Sequence, residues 1–157
     1  LADQVAEHTL GLAIACTRRL PLFLDQQRAR DFTRRPTRDL TGATVGIVGM
    51  GGNGRRLAEV LAPLRVRILA TDFYPVRRPP EVEYLGPPEA FPRLLDEAEV
   101  LFLACPLTDA TRSLVDAAAL ARLRPGAILV NTARDHHAAR RRTGGVADRC
   151  DDRLFLR

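Results

Sequence analysis

Short, unbroken apolar runs recur through the middle of the chain, at Thr44 to Val48, Val66 to Ala70, Val100 to Ala104 and Ala127 to Val130, with a weaker one at Val82 to Leu85. Continuous rather than alternating apolar character suits strands covered on both faces, as in a parallel sheet. Between the first two runs, Arg55 to Leu64 carries Leu57, Val60, Leu61 and Leu64 on one side of a predicted helix. A second helix is predicted over Asp116 to Leu123, with Asp116 placed to cap its start and Arg124-Pro125-Gly126 to end it. Ahead of the first run, Val5, Leu12, Cys16 and Leu20 recur at helical spacing. Ala6, Leu10, Ala13 and Ile14 widen that stripe almost all the way round, which predicts one long helix from Ala2 to about Gln27, buried on several sides. From Arg28 to Leu40 the pattern breaks up around Pro36 into a solvated connector. Strands alternating with helices predict right-handed crossovers and an α/β domain. The expected architecture is a Rossmann-type doubly wound parallel sheet, preceded by a long helix and incomplete at its C-terminal end. The organisation expected is a helix and arm over 1–40, the sheet domain over 41–134 and an atypical Arg-rich tail over 135–157.

The strand Thr44 to Val48 runs straight into Gly49-Met50-Gly51-Gly52-Asn53-Gly54 and then into a helix, so G-x-G-x-x-G stands in the strand, turn and helix context it needs. In such a loop the first glycine makes the tight turn, the second lets backbone approach a pyrophosphate, and the third lets helix and strand pack closely. The helix dipole and free N–H groups then face the phosphates. The next predicted strand leads to Asp72, eighteen residues after Gly54. A carboxylate there accepts hydrogen bonds from the ribose hydroxyls of NAD and repels the 2′-phosphate of NADP. Arg77-Arg78, shortly downstream, keeps NADP open as the alternative. Cys105-Pro106-Leu107-Thr108 and Asn131-Thr132-Ala133-Arg134 follow two further strands, at the sheet end where ligands bind. There a fixed guanidinium such as that of Arg134 grips a carboxylate with two charge-assisted hydrogen bonds.

Charge changes this picture little. The 157 residues carry a net charge of +5, and all 24 basic residues are Arg. Seven of them lie between Arg18 and Asp39 against three Asp. That bias spreads over the whole chain without a nucleic-acid motif or an aromatic stacking surface, so nucleic-acid binding is not expected. The nine uncharged residues from Thr9 to Thr17 fall well short of the roughly 20 a membrane span needs, and no membrane partner is expected. Cys16, Cys105 and Cys150 lie far apart in no C-x-x-C pair, which supports neither zinc nor disulfides and suits a cytoplasmic setting. No metal site is expected.

Val5-Ala6-Glu7-His8-Thr9, the glycine loop, Cys105-Pro106-Leu107-Thr108 with Thr111, and Leu123 through Arg134 together resemble the NAD-binding domain of the D-isomer-specific 2-hydroxyacid dehydrogenases. The likeness covers residues 1–134. It implies that Gly52, Asn53 and Gly54 lie against the pyrophosphate, with Gly49 and Gly51 of the same loop among the cofactor-binding residues. Asp72 would hold the adenosine ribose, while Cys105 and Pro106 with Thr132 and Ala133 approach the nicotinamide half. Arg134 would bind the substrate carboxylate and polarise the carbonyl that receives hydride. The resemblance also implies a small 2-hydroxy or 2-oxo acid substrate and a homodimer formed partly through the first helix and its arm.

After Arg134 the likeness stops. Asp135-His136-His137 and an Arg-rich tail stand where the family places a helix, a strand with an acidic partner and the proton-donating histidine. Adjacent His136 and His137 lack an orienting carboxylate and do not build a metal sphere. His8 is expected to pack or bond locally. No strand is expected in the tail, which is read as the product of a frameshift or truncated gene. The chain opens in mid-pattern and lacks a substrate domain, so the expectation is an incomplete dehydrogenase, or alternatively a noncatalytic dinucleotide-binding and dimerisation module.

Overall fold

The computed structural model describes residues 1–75 and 77–133, together with the backbone of Leu154–Leu156. Its elements in chain order are α1 (Ala2–Thr17), α2 (Leu20–Ala29), β1 (Thr44–Val48), α3 (Gly52–Leu61), β2 (Arg67–Thr71), β3 (Tyr84–Gly86), α4 (Phe91–Glu97), β4 (Val100–Leu103), α5 (Ala117–Arg122), β5 (Ile128–Asn131) and β6 (Leu154–Leu156). Short 3₁₀ turns extend α3 at Ala62–Leu64 and precede α4 at Pro88–Ala90. The strands form one sheet in the order β3-β2-β1-β4-β5-β6, and every pairing is parallel. This is the doubly wound order of the dinucleotide-binding folds, and the expected α/β class is borne out.

Alternation along each strand explains the two-sided burial. Val45, Ile47, Ile68, Ala70, Phe102, Ile128 and Val130 share one core with Leu57, Ala58 and Leu61 of α3 and with Ala6, Ala13 and Cys16 of α1. Val48, Leu69, Leu101, Leu103 and Leu129 turn to the opposite face, against Phe91, Leu94 and Leu95 of α4 and against Ala119. Successive strand side chains point to opposite faces, so a run with no polar position is what a sheet sandwiched between helix layers requires.

The structure corrects the expected N-terminal helix, which is two helices and not one. α1 ends at Thr17, and Arg19 takes a left-handed conformation (φ 53°) before α2 begins with Pro21 in its first turn. Proline has no N–H to continue the preceding ladder and clashes with the carbonyl four residues back, so the chain must break there. Nor is α1 buried all round, because burial falls on the stripe Ala6, Thr9, Ala13, Cys16 and Thr17, while Ile14 is exposed. Its small side chains let the helix lie close against α3 and β5.

The tail supplies a correction as well. Leu154–Leu156, expected to carry no strand, pairs in parallel with β5 through Ile128↔Leu154, Leu129↔Phe155 and Val130↔Leu156. An edge strand presents a row of open N–H and C=O groups, and this pairing satisfies those of β5. Helix α4, by contrast, has no counterpart among the sequence expectations.

Candidate functional site

Strand order reverses between β1 and β4, and both strands run toward the same end of the sheet. Open α/β sheets bind ligands in the crevice at such a switch point, beyond the carboxyl ends of the strands. Gly49 follows β1 there. Its φ of +97° is one that side chains other than glycine's rarely adopt. A Cβ on it would lie 2.7 Å from the backbone nitrogen of Cys105, which follows β4. The two strand ends therefore meet backbone to backbone.

The other glycines divide sharply. A Cβ on Gly54 would lie 2.0 Å from the carbonyl oxygen of Gly49, so the first turn of α3 can close onto the loop only without a side chain. A Cβ on Gly51 or Gly52 would meet nothing within 4 Å. Gly51, at φ −69° and ψ −166°, is in extended backbone open to any residue. Neither conformation nor internal packing demands glycine at these two exposed positions. The remaining reason is close approach of an outside group to the backbone. That group would be anionic, because α3 begins here with no side-chain cap and no acidic residue in its first turn, leaving N–H groups and a positive dipole end facing outward. The residues present fit a pyrophosphate.

Asp72 stands just past the end of β2, where its N–H donates to the Gly86 carbonyl at 3.0 Å. The Met50 N–H donates to its Oδ2 at 2.5 Å and the Tyr74 N–H to its Oδ1 at 2.9 Å. The carboxylate expected to hold a ribose thus sits beside the glycine loop. Across the switch point, Cys105 is buried, and burial pushes its thiol up, an effect the nearby Asp72 charge adds to. Cys105 packs in the core cluster on the α4 side of the sheet. The exposed Pro106 follows it, and the Thr111 hydroxyl donates to the Pro106 carbonyl at 2.7 Å, closing that loop.

At the end of β5, the Thr132 N–H donates to the Leu103 carbonyl at 3.3 Å and the Ala133 N–H to the Asn131 side chain at 3.1 Å. The Thr9 and Thr132 hydroxyls lie 3.2 Å apart, which ties α1 to this corner. Thr9, with Thr17 one of two polar positions in the buried stripe of α1, belongs in the sequence to the resembling run and carries no expected role at the site. His8 is exposed on that helix. Arg134, His136, His137 and Cys150 lie outside the described residues. Among the described residues no group of three His, Cys, Asp or Glu side chains could hold a metal.

A parallel sheet in this order, with a glycine cradle at the switch point and a carboxylate one strand over, defines a dinucleotide-binding domain of the Rossmann type. The family model "D-isomer specific 2-hydroxyacid dehydrogenase, NAD binding domain" matches residues 10–141. The chain belongs to that family, and NAD is the cofactor of the matched domain. It is 32% identical over 136 residues to a D-lactate dehydrogenase of Escherichia coli, covering 84% of this chain and 40% of that protein. Among solved structures, a glycerate dehydrogenase related protein from Thermoplasma acidophilum superposes with a TM-score of 0.81 at 29% identity, over 88% of this chain and 48% of that one. An NAD-dependent formate dehydrogenase from Staphylococcus aureus in complex with NAD superposes with a TM-score of 0.82 at 26% identity, over 88% and 42%. The chain spans less than half the length of these relatives. Among the described residues, no helix is long and apolar enough to cross a membrane.

Proposed function

We propose that this chain is the cofactor-binding part of an oxidoreductase that moves hydride between NAD(H) and a small D-2-hydroxy acid or its 2-oxo acid. The observation that carries this reading is the contrast among the glycines, with Gly49 and Gly54 pressed by the protein's own backbone and Gly51 and Gly52 open to an outside group. Gly52, Asn53 and Gly54 hold the pyrophosphate through the first turn of α3, Asp72 accepts from the adenosine ribose, and Cys105, Pro106, Thr132 and Ala133 border the nicotinamide half. NAD supplies or accepts the hydride when bound. Arg134, next in sequence after Ala133, grips the substrate carboxylate and stabilises negative charge growing on the carbonyl oxygen, which lowers the barrier more than it tightens ground-state binding.

The relatives' names run from lactate through glycerate to formate, so the shared part does not choose the substrate. We infer a homodimer as well. Leu20, Leu24 and Phe32 stand exposed on α2 and the arm that follows, Phe32 at 94%, and a second copy of the chain would cover them. A cytoplasmic setting fits the free Cys16 and Cys105.

Titrating the chain with NADH and following nicotinamide fluorescence tests the central claim, and absence of saturable binding by folded protein overturns it. A noncatalytic dinucleotide-binding and dimerisation module is the second reading. Assay of NADH oxidation with glyoxylate, hydroxypyruvate and pyruvate separates the two, since turnover by this chain alone excludes the module.

A further inference from the structure

We propose that Asp72 is also the clasp that holds the glycine loop in its binding shape, a positioning role distinct from gripping ribose hydroxyls and one that rests on the dinucleotide reading above. Four glycines among six residues make Gly49 to Gly54 the segment with most backbone freedom to lose on ordering. Successive loop amides are nevertheless tied to the end of β2. The Gly49 N–H donates to the Thr71 carbonyl at 2.8 Å, and the Met50 N–H donates to Asp72 Oδ2 at 2.5 Å. The second tie is to a side chain, which is charged and half-buried, so the bond is charge-assisted. Beyond Met50, whose side chain is buried, the chain enters the open stretch Gly51-Gly52. The clasp therefore sits at the last anchored residue before the cradle.

The same contacts orient the carboxylate. Its Oδ1 is held by the Tyr74 N–H at 2.9 Å, so both oxygens are engaged by backbone before any ligand arrives. A carboxylate offers about four lone-pair positions. Two remain, enough for two ribose hydroxyls. A side chain locked in this way pays little ordering entropy when the ribose docks. One residue thus fixes the spacing between the phosphate cradle and the ribose acceptor. Asparagine keeps a single acceptor oxygen and turns an NH₂ toward one of the two amides, so it can hold Met50 or Tyr74 but not both.

Two measurements on the full chain test the clasp. The first is amide hydrogen exchange without ligand in the wild type, Asp72→Ala and Asp72→Asn, with the Gly49 and Ala104 amides, bonded to backbone carbonyls, as internal references. The second is affinity for NADH and for an NADH analogue whose adenosine ribose lacks both hydroxyls. In Asp72→Ala, Met50 and Tyr74 are expected to exchange at least roughly tenfold faster relative to the references, which a general loss of stability would not produce. The analogue offers the carboxylate no hydroxyl to hold, yet Asp72→Ala is expected to bind it about three- to tenfold more weakly than the wild type does. Asp72→Asn falls between them in exchange, and carries the comparison if the alanine variant does not fold. Equal affinity of wild type and Asp72→Ala for the analogue, or unchanged Met50 exchange, overturns the clasp. Failure of the wild type to bind NADH overturns the dinucleotide reading instead, and Met50 exchange still decides the clasp.

Discussion

A methyl group on Gly54 would sit 2.0 Å from the carbonyl oxygen of Gly49, so the protein's own backbone is what demands glycine at position 54. Gly51 lies between them with nothing inside 4 Å of its would-be Cβ. One short segment therefore separates folding from binding.

Gly54→Ala forces one backbone off another and is expected to cost about 1–3 kcal/mol or more of stability, in the range of overpacked interiors. Gly51→Ala meets open space and is expected to change stability by no more than about 0.5 kcal/mol, while under the proposed pyrophosphate site its methyl group is expected to weaken NADH about tenfold or more. Thermal melts beside NADH titrations check both. A Gly51→Ala protein that binds NADH as the wild type does would remove the pyrophosphate from this loop.

Cofactor choice follows from charge. A carboxylate at Asp72 repels a 2′-phosphate, and Arg77 and Arg78 follow it five and six residues later. The Arg78 guanidinium is bound back to the Val82 carbonyl, whereas Arg77 is exposed. Asp72→Ala is expected to weaken NADH and to move the NADPH-to-NADH affinity ratio about tenfold toward NADPH. Adding Arg77→Ala should return part of that shift. An unaltered ratio in the single variant would deny Asp72 its role in discrimination.

Legibility varied with the kind of information each element needs. Strand β1 was readable to its bounds because Thr-Val-Gly-Ile-Val is unbroken and is followed by Gly49, a glycine that turns the chain. The Asp116 cap was readable because capping is local, as is the Asp72 position behind β2. Helix α4 was hidden by Pro87, Pro88 and Pro92, which read as breakers. Pro92 falls in the first turn of α4, where the missing N–H has no intrahelical partner in any case. Phe91, Leu94 and Leu95 at helical spacing were the available signal. The break at Arg18-Arg19 hid behind an apolar period that continues through it. Three residues of β6 are too few to show a period. Contacts such as Met50 with Asp72 and Thr9 with Thr132 join residues distant in the chain, and spacing alone does not reveal them.

The helix that precedes β5 offers a direct stability test. The Ala119 N–H donates to Asp116 Oδ1 at 2.8 Å, satisfying one of the amides a helix start leaves open. Replacing such a cap with alanine costs typically about 1 kcal/mol. Asp116→Ala should lower unfolding free energy by about that amount in urea without altering NADH affinity, since Asp116 lies on the helical flank and not at the switch point. Asp116→Ser should recover most of the loss.

The arm after α2 gives the chain a predictable acid response. The Asp31 carboxylate is held down to about 2 from an ordinary 3.8, first by the Thr33 hydroxyl, then by the Gln26 side-chain amide and the Thr33 N–H. Those bonds measure 2.5, 3.0 and 2.9 Å, and the buried Gln26 Nε2 also donates to the Thr33 carbonyl at 2.9 Å, closing the turn. A carboxyl whose folded value is depressed binds its proton more readily in the unfolded chain, so its contribution is complete above the ordinary value and fades as pH falls toward 2. Wild type should therefore melt above Asp31→Asn at pH 5, and the gap should close between pH 4 and 2. Thermal midpoints of the two proteins across that range provide the check. A gap that stays constant down to pH 2 would mean the turn is held without the charge on Asp31.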